Sequence, residues 1–302
     1  MRIIFMGTPD FAVPSLRLLL DHGYEVVAVI TATDKYGGRG GRQLLESAVK
    51  QFAVERGIPV LQPKNLKAPE FVEQLRSYQA DLQIVVAFRM LPEVVWQMPE
   101  IGTFNLHGSL LPRYRGAAPI NWAVIRGAQE TGVTTFFLQH RIDTGDVLLQ
   151  RRMAVGQHET AGSVHDRMML LGAQTVLDSV RLIETGDYQL QPQNDEAATK
   201  APKIFSDTCE IDFDRPTAEV FNFIRGLSPF PTAWTTLEGK KLKIYRALPD
   251  SGGSGTPGSF DIDPAAQRLR IFTQGGAIRV LQLQLAGKRR MEVGEFLRGY
   301  RG

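Results

Sequence analysis

The first half of the chain alternates short apolar runs with longer amphipathic segments, and this alternation constrains its fold most strongly. The apolar runs predict strands at residues 2–6, 25–30, 82–87, 102–106 and 133–138. The amphipathic segments predict helices at residues 11–22, 42–56, 69–78 and 163–185. Strands that alternate with helices are typical of a parallel sheet with crossover helices. We therefore predict a doubly wound, mostly parallel α/β domain over residues 1–189.

The second half has a different pattern. Residues 190–203 are rich in Gln, Pro, Asn, Asp and Ala without clear periodicity, which predicts an exposed linker. After a predicted helix at residues 217–227, short alternating runs separated by Gly and Pro predict strands at 233–237, 242–247, 258–261, 268–273 and 278–285. We predict a smaller β-barrel or sandwich domain over residues 204–302.

Composition limits the class of protein. The chain has 302 residues, 43% of them apolar, which is enough for a full core. Cys209 is the only cysteine, so an internal disulfide and a cysteine metal cluster are excluded. No stretch approaches the roughly 18 apolar residues that a membrane span needs, and no apolar signal core follows Met1. We expect a soluble, unprocessed cytoplasmic protein that works without a membrane.

Positive charge is concentrated late in the chain. After Lys200 there are 15 basic and 11 acidic residues, including a group at residues 240–243 and another at residues 288–290. This distribution indicates a polyanionic partner, although a solvated basic rim has the same appearance.

Several common motifs are missing where they would be expected. Gly7 follows the first predicted strand, but neither G-x-G-x-x-G nor G-x-x-x-x-G-K-[ST] occurs there, so dinucleotide and ATP binding lose their usual motifs. The sequence contains neither H-E-x-x-H nor paired C-x-x-C, which disfavours a metal hydrolase.

The most informative segment follows the strand at residues 102–106. In an open α/β sheet, ligands bind at the carboxyl ends of strands, where Asn105 and His107 lie. Strand alternation directs both side chains to the same side. From the residues alone, this pair is either a hydrogen-bonded structural site or a catalytic one.

Asp143 and Asp146 follow another strand, where a carboxylate can orient His107 or keep it charged. We assign that role to Asp143 and a turn to Asp146.

An ordered set of motifs carries a resemblance: Asn105-x-His107, Ser109-Leu-Leu-Pro112, Arg-Gly-Ala-Ala-Pro from residue 115, and Asp143-Thr-Gly. In this order the chain resembles the folate-dependent formyltransferase family, which includes glycinamide ribonucleotide transformylase. The resemblance covers essentially the whole chain. It implies a Rossmann-like catalytic domain followed by a barrel related to oligonucleotide-binding (OB) folds.

The resemblance also implies roles for particular residues. Asn105, His107 and Asp143 become the catalytic residues, and no metal is required. The implied contacts with the reduced folate 10-formyltetrahydrofolate, a co-substrate, are Ser109, Leu110, Leu111, Pro112, Phe88, Arg89 and Met90. From the residues alone, Phe88 and Met90 are equally well explained as core residues.

The implied acceptor is the α-amine of methionyl-initiator tRNA, which is formylated for translation initiation. Arg39 and Arg42 lie in a basic, glycine-rich loop that resembles the segment engaging the acceptor end. Lys240 and Lys243 are predicted to contact phosphates, with Lys241 on the opposite side of the strand. We expect a monomer.

The implied chemistry is attack of the amine on the formyl carbon. Asn105 and protonated His107 would stabilise the resulting oxyanion. Asp143 would hold His107 charged or receive the amine's proton, and the sequence leaves both roles open. Three alternatives remain: formylation of an amino sugar nucleotide, hydrolysis of formyltetrahydrofolate, and noncatalytic RNA binding.

Overall fold

The computed structural model describes residues 1–37 and 41–300. The strands are β1 (Arg2–Gly7), β2 (Glu25–Ile30), β3 (Lys35–Gly37), β4 (Gln43–Leu45), β5 (Val60–Leu61), β6 (Leu82–Val86), β7 (Gly102–His107), β8 (Glu130–Phe137), β9 (Val147–Ala154), β10 (Ala233–Leu237), β11 (Lys240–Asp250), β12 (Phe260–Asp263), β13 (Arg268–Thr273), β14 (Gly276–Leu285) and β15 (Met291–Glu292).

The helices are α1 (Val13–Asp21), α2 (Ala48–Glu55), α3 (Pro69–Ser77), α4 (Glu93–Trp96), α5 (Pro119–Ile125), α6 (Ala161–Thr185), α7 (Thr217–Gly226) and α8 (Val293–Arg298). Short 3₁₀ turns lie at Asp10–Ala12, Asp195–Ala197 and Asp207–Cys209. Within the described ranges, no helix combines the length and the apolar character that crossing a lipid bilayer requires.

The chain forms two compact units. The first unit comprises Met1–Gly116, Gly132–Met153 and Asp166–Lys200. The second unit comprises Ala117–Thr131, Ala154–His165 and the chain from Ala201 onward.

The first unit is built on a seven-stranded sheet in the order β5-β2-β1-β6-β7-β8-β9. The pairs from β5 through β7 are parallel, and β8 runs antiparallel to β7. In β1 the side chains of Ile3, Ile4, Phe5 and Met6 are all fully buried, as expected where helices cover both faces of a sheet. The predicted mostly parallel α/β domain is confirmed.

One face of β7 is covered by α6. A Cβ added at Gly172 of α6 would lie 2.8 Å from a methyl carbon of Leu106, so the helix packs closely on that side chain. Because side chains alternate along a strand, Asn105 and His107 point to the other face.

The predicted helix over residues 42–56 is wrong at its beginning. The helix begins at Ala48, and the Ser47 side chain caps it by accepting the Lys50 N–H at 3.0 Å. Residues 43–45 instead form β4, which pairs with β3 in an antiparallel hairpin. Leu44 and Leu45 are adjacent and both 47% exposed, so they do not continue the apolar face of α2.

The segment predicted as an exposed linker is attached to the first unit. Gln191 and Val147 exchange two backbone hydrogen bonds, and the Arg115 N–H donates to the Thr199 carbonyl at 2.8 Å. Residues 191–200 therefore pack beside the loops at the carboxyl ends of β7 and β8.

The second unit contains an antiparallel sheet in the order β10-β11-β14-β13-β12, with β15 on β14. The prediction of a smaller β domain after the α/β domain is confirmed, and its strands form an antiparallel sheet. Helices α5 and α7 pack together in this unit: Asn121 donates to the Gly226 carbonyl at 2.8 Å, and a Cβ at Gly226 would lie 2.5 Å from Ile125 Cγ1.

The predicted orientation of Lys241 is wrong. Leu242 and Ile244 are fully buried, so the alternate residues Lys241 and Lys243 share the outer face of β11. The ammonium of Lys241 lies 3.6 Å from the ring centre of Trp234, the residue that faces Lys243 in β10.

Replacing Gly132 with alanine tests the close packing of β8. Its Cβ would lie 2.1 Å from the Arg151 carbonyl oxygen, so the backbone would have to move. We expect Gly132→Ala to lower the free energy of unfolding by about 1–3 kcal/mol, measured by urea denaturation. Gly299→Ala is the control, because the nearest atom to its Cβ would be 3.9 Å away. Equal stability of the two variants would contradict the packing.

Candidate active site

His107, the last residue of β7, lies between two oxygen atoms. The ring is 6% exposed. Nε2 lies 2.9 Å from the Tyr114 carbonyl oxygen, which can only accept, so Nε2 carries the hydrogen. Nδ1 lies 3.8 Å from Asp143 Oδ2, which is close enough for charge attraction but too far for a hydrogen bond. Nδ1 is therefore the ring nitrogen that is left for chemistry.

Asn105 lies two residues before His107 on the same face of β7 and is half-buried. No residue in the described part of the chain forms a hydrogen bond with its side chain. The amide is consequently an available donor beside the imidazole.

Asp143 has a backbone conformation that residues other than glycine rarely adopt. Its φ angle is 55°, in the left-handed region, and its Oδ2 accepts the Gly116 N–H at 2.8 Å. Tyr114, which supplies the other oxygen beside His107, also has a positive φ of 61°. Both neighbours of the imidazole thus depend on locally unfavourable backbone, a feature that concentrates at functional sites.

The turn after Asp143 is fixed by a close backbone approach. A Cβ at Gly145 would lie 1.7 Å from the Phe137 carbonyl oxygen, so only glycine fits. The next residue, Asp146, accepts the Phe137 N–H through its backbone carbonyl at 3.2 Å. This contact agrees with the turn role predicted for Asp146.

The loop after His107 is organised by a buried hydroxyl. Thr134 Oγ1 donates to the Ser109 carbonyl at 2.7 Å. It accepts the Leu111 N–H at 3.1 Å and the Gln150 amide at 3.0 Å. The Ser109 hydroxyl donates within the loop, to the Arg113 carbonyl at 2.6 Å.

These hydrogen bonds and the burial of the loop determine which of its groups remain available to a ligand. Ser109 is fully buried and Leu111 is 5% exposed, whereas Leu110 and Pro112 are half-buried. The predicted folate contacts of all four remain predictions.

The other predicted folate residues follow β6, the parallel neighbour of β7. Phe88 packs partly against the core of the first unit, and Met90 is 74% exposed. The Arg89 guanidinium donates to the backbone carbonyls of Pro63 and Lys64. The structure thus brings residues 88–90 to the sheet edge at which Asn105 and His107 lie.

The predicted tRNA contacts are spread over the chain. Arg39 lies outside the described residues, and Arg42 is exposed just before β4. Lys240 and Lys243 belong to the second unit, where Lys240 is exposed and Lys243 half-buried.

Sequence reasoning missed several residues that support this site. Thr134, Gln150 and Gln193 support its loops and belong to no motif that we identified. Among the residues that the structure describes, no three His, Cys, Asp or Glu side chains are grouped so as to hold a metal ion.

Comparison with known families identifies the class of protein. A model of the family described as "Formyl transferase" matches residues 1–180, and one described as "Formyl transferase, C-terminal domain" matches residues 203–301. The chain therefore belongs to the formyl transferase family.

Proteins that are similar over their whole length give a more specific comparison within this family. A protein of Parabacteroides distasonis named methionyl-tRNA formyltransferase is 53% identical, with 100% of this chain and 96% of the relative covered. A Porphyromonas gingivalis protein with the same name is 51% identical, with 99% and 96% covered.

Solved structures share the fold at lower identity. The sugar 3N-formyl transferase WlaRD has a TM-score of 0.71 at 19% identity, with 96% of this chain and 99% of that chain covered. HypX from Aquifex aeolicus, in complex with tetrahydrofolic acid, has a TM-score of 0.68 at 20% identity. The match covers 99% of this chain but only 48% of HypX.

Substitution of Thr134 tests whether its hydroxyl supports the loop. Thr134→Val keeps the volume but leaves the Leu111 N–H without its acceptor, so we expect a loss of about 1–3 kcal/mol in the free energy of unfolding. Thr134→Ser keeps the hydroxyl and is the control. Urea denaturation of both variants provides the measurement, and a loss for valine no larger than that for serine would contradict this role.

Proposed function

We propose that this chain transfers the formyl group of 10-formyltetrahydrofolate to the α-amine of methionyl-initiator tRNA. The observation that carries the proposal is identity of about one half, over the whole chain, to proteins named methionyl-tRNA formyltransferase. The arrangement of His107 and Asp143 at the end of β7 supports it, because this reaction needs a charged donor and a proton acceptor.

The reaction begins with the neutral α-amine attacking the formyl carbon. A tetrahedral centre forms, and its oxygen becomes negatively charged. The free amide of Asn105 and a proton on His107 Nδ1 are the donors that stabilise that oxygen. Asp143 receives the ammonium proton, directly or through water, and the C–N bond to the folate then breaks as the oxyanion reforms the carbonyl. The proton that Asp143 received passes, directly or through water, to the folate nitrogen as it leaves, so the carboxylate is restored.

The folate would bind at the carboxyl edge of the first sheet. We assign it to the loop with Ser109, Leu110, Leu111 and Pro112 and to residues 88–90 after β6. Ser109 contributes through the backbone, because its hydroxyl is committed to the Arg113 carbonyl. The Arg89 guanidinium is likewise committed, to the backbone carbonyls of Pro63 and Lys64. Recognition of the folate ring therefore relies on backbone groups and on the apolar surfaces of Phe88 and Met90.

We assign tRNA contacts to Arg39, Arg42, Lys240 and Lys243. The excess of basic residues after Lys200 supports a polyanionic partner. Within this proposal, catalysis belongs to residues 1–189 and tRNA binding to residues 204–302. Residues 190–203 connect the two, although this connection packs on the first unit as far as Lys200. The protein acts as a cytoplasmic monomer in translation initiation.

Replacing the proposed oxyanion donors tests the chemistry. We expect His107→Ala and Asn105→Ala each to lower kcat about 100- to 1,000-fold, since each removes a donor to the developing charge. Formylation of methionyl-initiator tRNA is measured beside elongator tRNA and an amino sugar nucleotide. His140→Ala is the control because its side chain is 72% exposed. Formylation of the sugar nucleotide alone would refute the proposed acceptor.

Neutralising the proposed phosphate contacts tests the partner. We expect Lys243→Gln and Lys240→Gln to weaken tRNA binding, and each to reduce the slope of log Kd against log salt by about 1. Lys67→Gln, at an exposed position of the first unit, is the control. A salt slope in either variant that matches the control would remove that lysine from the interface.

A further inference from the structure

Gln193 connects the Asp143 turn to the segment that follows α6. Its side-chain amide donates to two backbone carbonyls of the turn, that of Asp143 at 3.0 Å and that of Gly145 at 2.7 Å. One side chain therefore binds the turn on both sides of Thr144.

The orientation of this amide is itself fixed. Arg115 donates from Nε and Nη2 to Gln193 Oε1, at 3.1 and 2.8 Å. Arg115 is held in turn by Asp195, whose carboxylate lies 2.8 Å from Nη2. The hydrogen bond from Arg115 lowers the pKa of Asp195, because it favours the charged carboxylate.

The same segment holds the other neighbour of His107. Thr199 Oγ1 accepts the Tyr114 N–H at 2.8 Å, and the Tyr114 carbonyl accepts from His107 Nε2. Residues 193–199 thus contact both backbone positions that have a positive φ beside the imidazole. A conformation that is unfavourable by itself persists only where surrounding contacts fix it.

We propose that Gln193 is a positioning residue, which keeps the Asp143 carboxylate opposite His107 Nδ1 by holding the two carbonyls of the turn. This inference rests on the proposed formyl transfer, because it assigns Gln193 to the same reaction. Gln193 acts through Asp143 and does not touch the reacting atoms.

Two substitutions together isolate the amide donors. Gln193→Met keeps the length of the side chain and removes both donors together with the Oε1 acceptor for Arg115. Gln193→Glu keeps an acceptor for Arg115 but offers the carbonyls a negative charge. Gln191→Met is the matched control: its side chain is exposed, and it contacts Val147 through its backbone.

We expect both Gln193 variants to lower kcat about 10- to 100-fold with KM for folate and tRNA changed less than twofold, because a small misplacement of a catalytic group has effects of this size. In an Asp143→Asn background, Gln193→Met should lower kcat less than twofold further, since its partner has already been removed. A full additional loss in that background, or wild-type kcat in Gln193→Met, would overturn the proposal.

A second measurement does not depend on activity. The Gly116 N–H donates to Asp143 Oδ2, so its hydrogen exchange, followed by NMR, reports whether the carboxylate stays in place. We expect at least tenfold faster exchange at Gly116 in Gln193→Met and no change in Gln191→Met. Unchanged exchange in Gln193→Met would overturn the positioning role. A wild-type protein without formyl transfer to tRNA would refute the proposed function, while the exchange result would still decide the role of Gln193.

Discussion

The imidazole of His107, enclosed between a backbone carbonyl and a carboxylate, is the constraint on which the candidate site depends. With Nε2 committed to the Tyr114 carbonyl, the ring cannot rotate without losing a hydrogen bond in a buried setting, where such a loss is costly. Its second nitrogen is thereby aimed at Asp143. The strand supplies the ring and two separate loops supply the oxygens, so the geometry exists only when the sheet and both loops are in place.

The sheet holds the loop after His107 in place by means of polar groups inside an otherwise apolar core. Thr134 sits opposite His107 in the register of β7 and β8, and its hydroxyl satisfies backbone groups of the loop that continues from His107. A valine of equal shape would suit a purely structural strand better. The site therefore rests on buried hydrogen bonds whose energetic cost is offset by the large apolar contacts of β1 and its neighbours.

Much of this could be predicted from the sequence, for identifiable reasons. Strands β1 and β2 contain unbroken apolar runs, and β6 and β7 combine apolar residues with a few polar ones. The rule that ligand groups follow strand ends led to Asn105, His107 and Asp143. Strand β9 was missed because it contains Gln150 and two arginines, which interrupt the apolar alternation. Gln193 could not be predicted, since its hydrogen bonds join residues 50 and 48 positions apart and no local pattern encodes them.

The interleaving of the two units has an evolutionary consequence. The chain passes between them five times, and α5, from the middle of the sequence, completes the packing of α7 near its end. A recombination event with one crossover near residue 203 would pack α7 against an α5 from another gene. The contact between Gly226 of α7 and Ile125 of α5 has no room for an added carbon, so such a pair would fit poorly. Exchange of the carboxyl-terminal portion alone is thus penalised, and the two halves of the gene are expected to share one history.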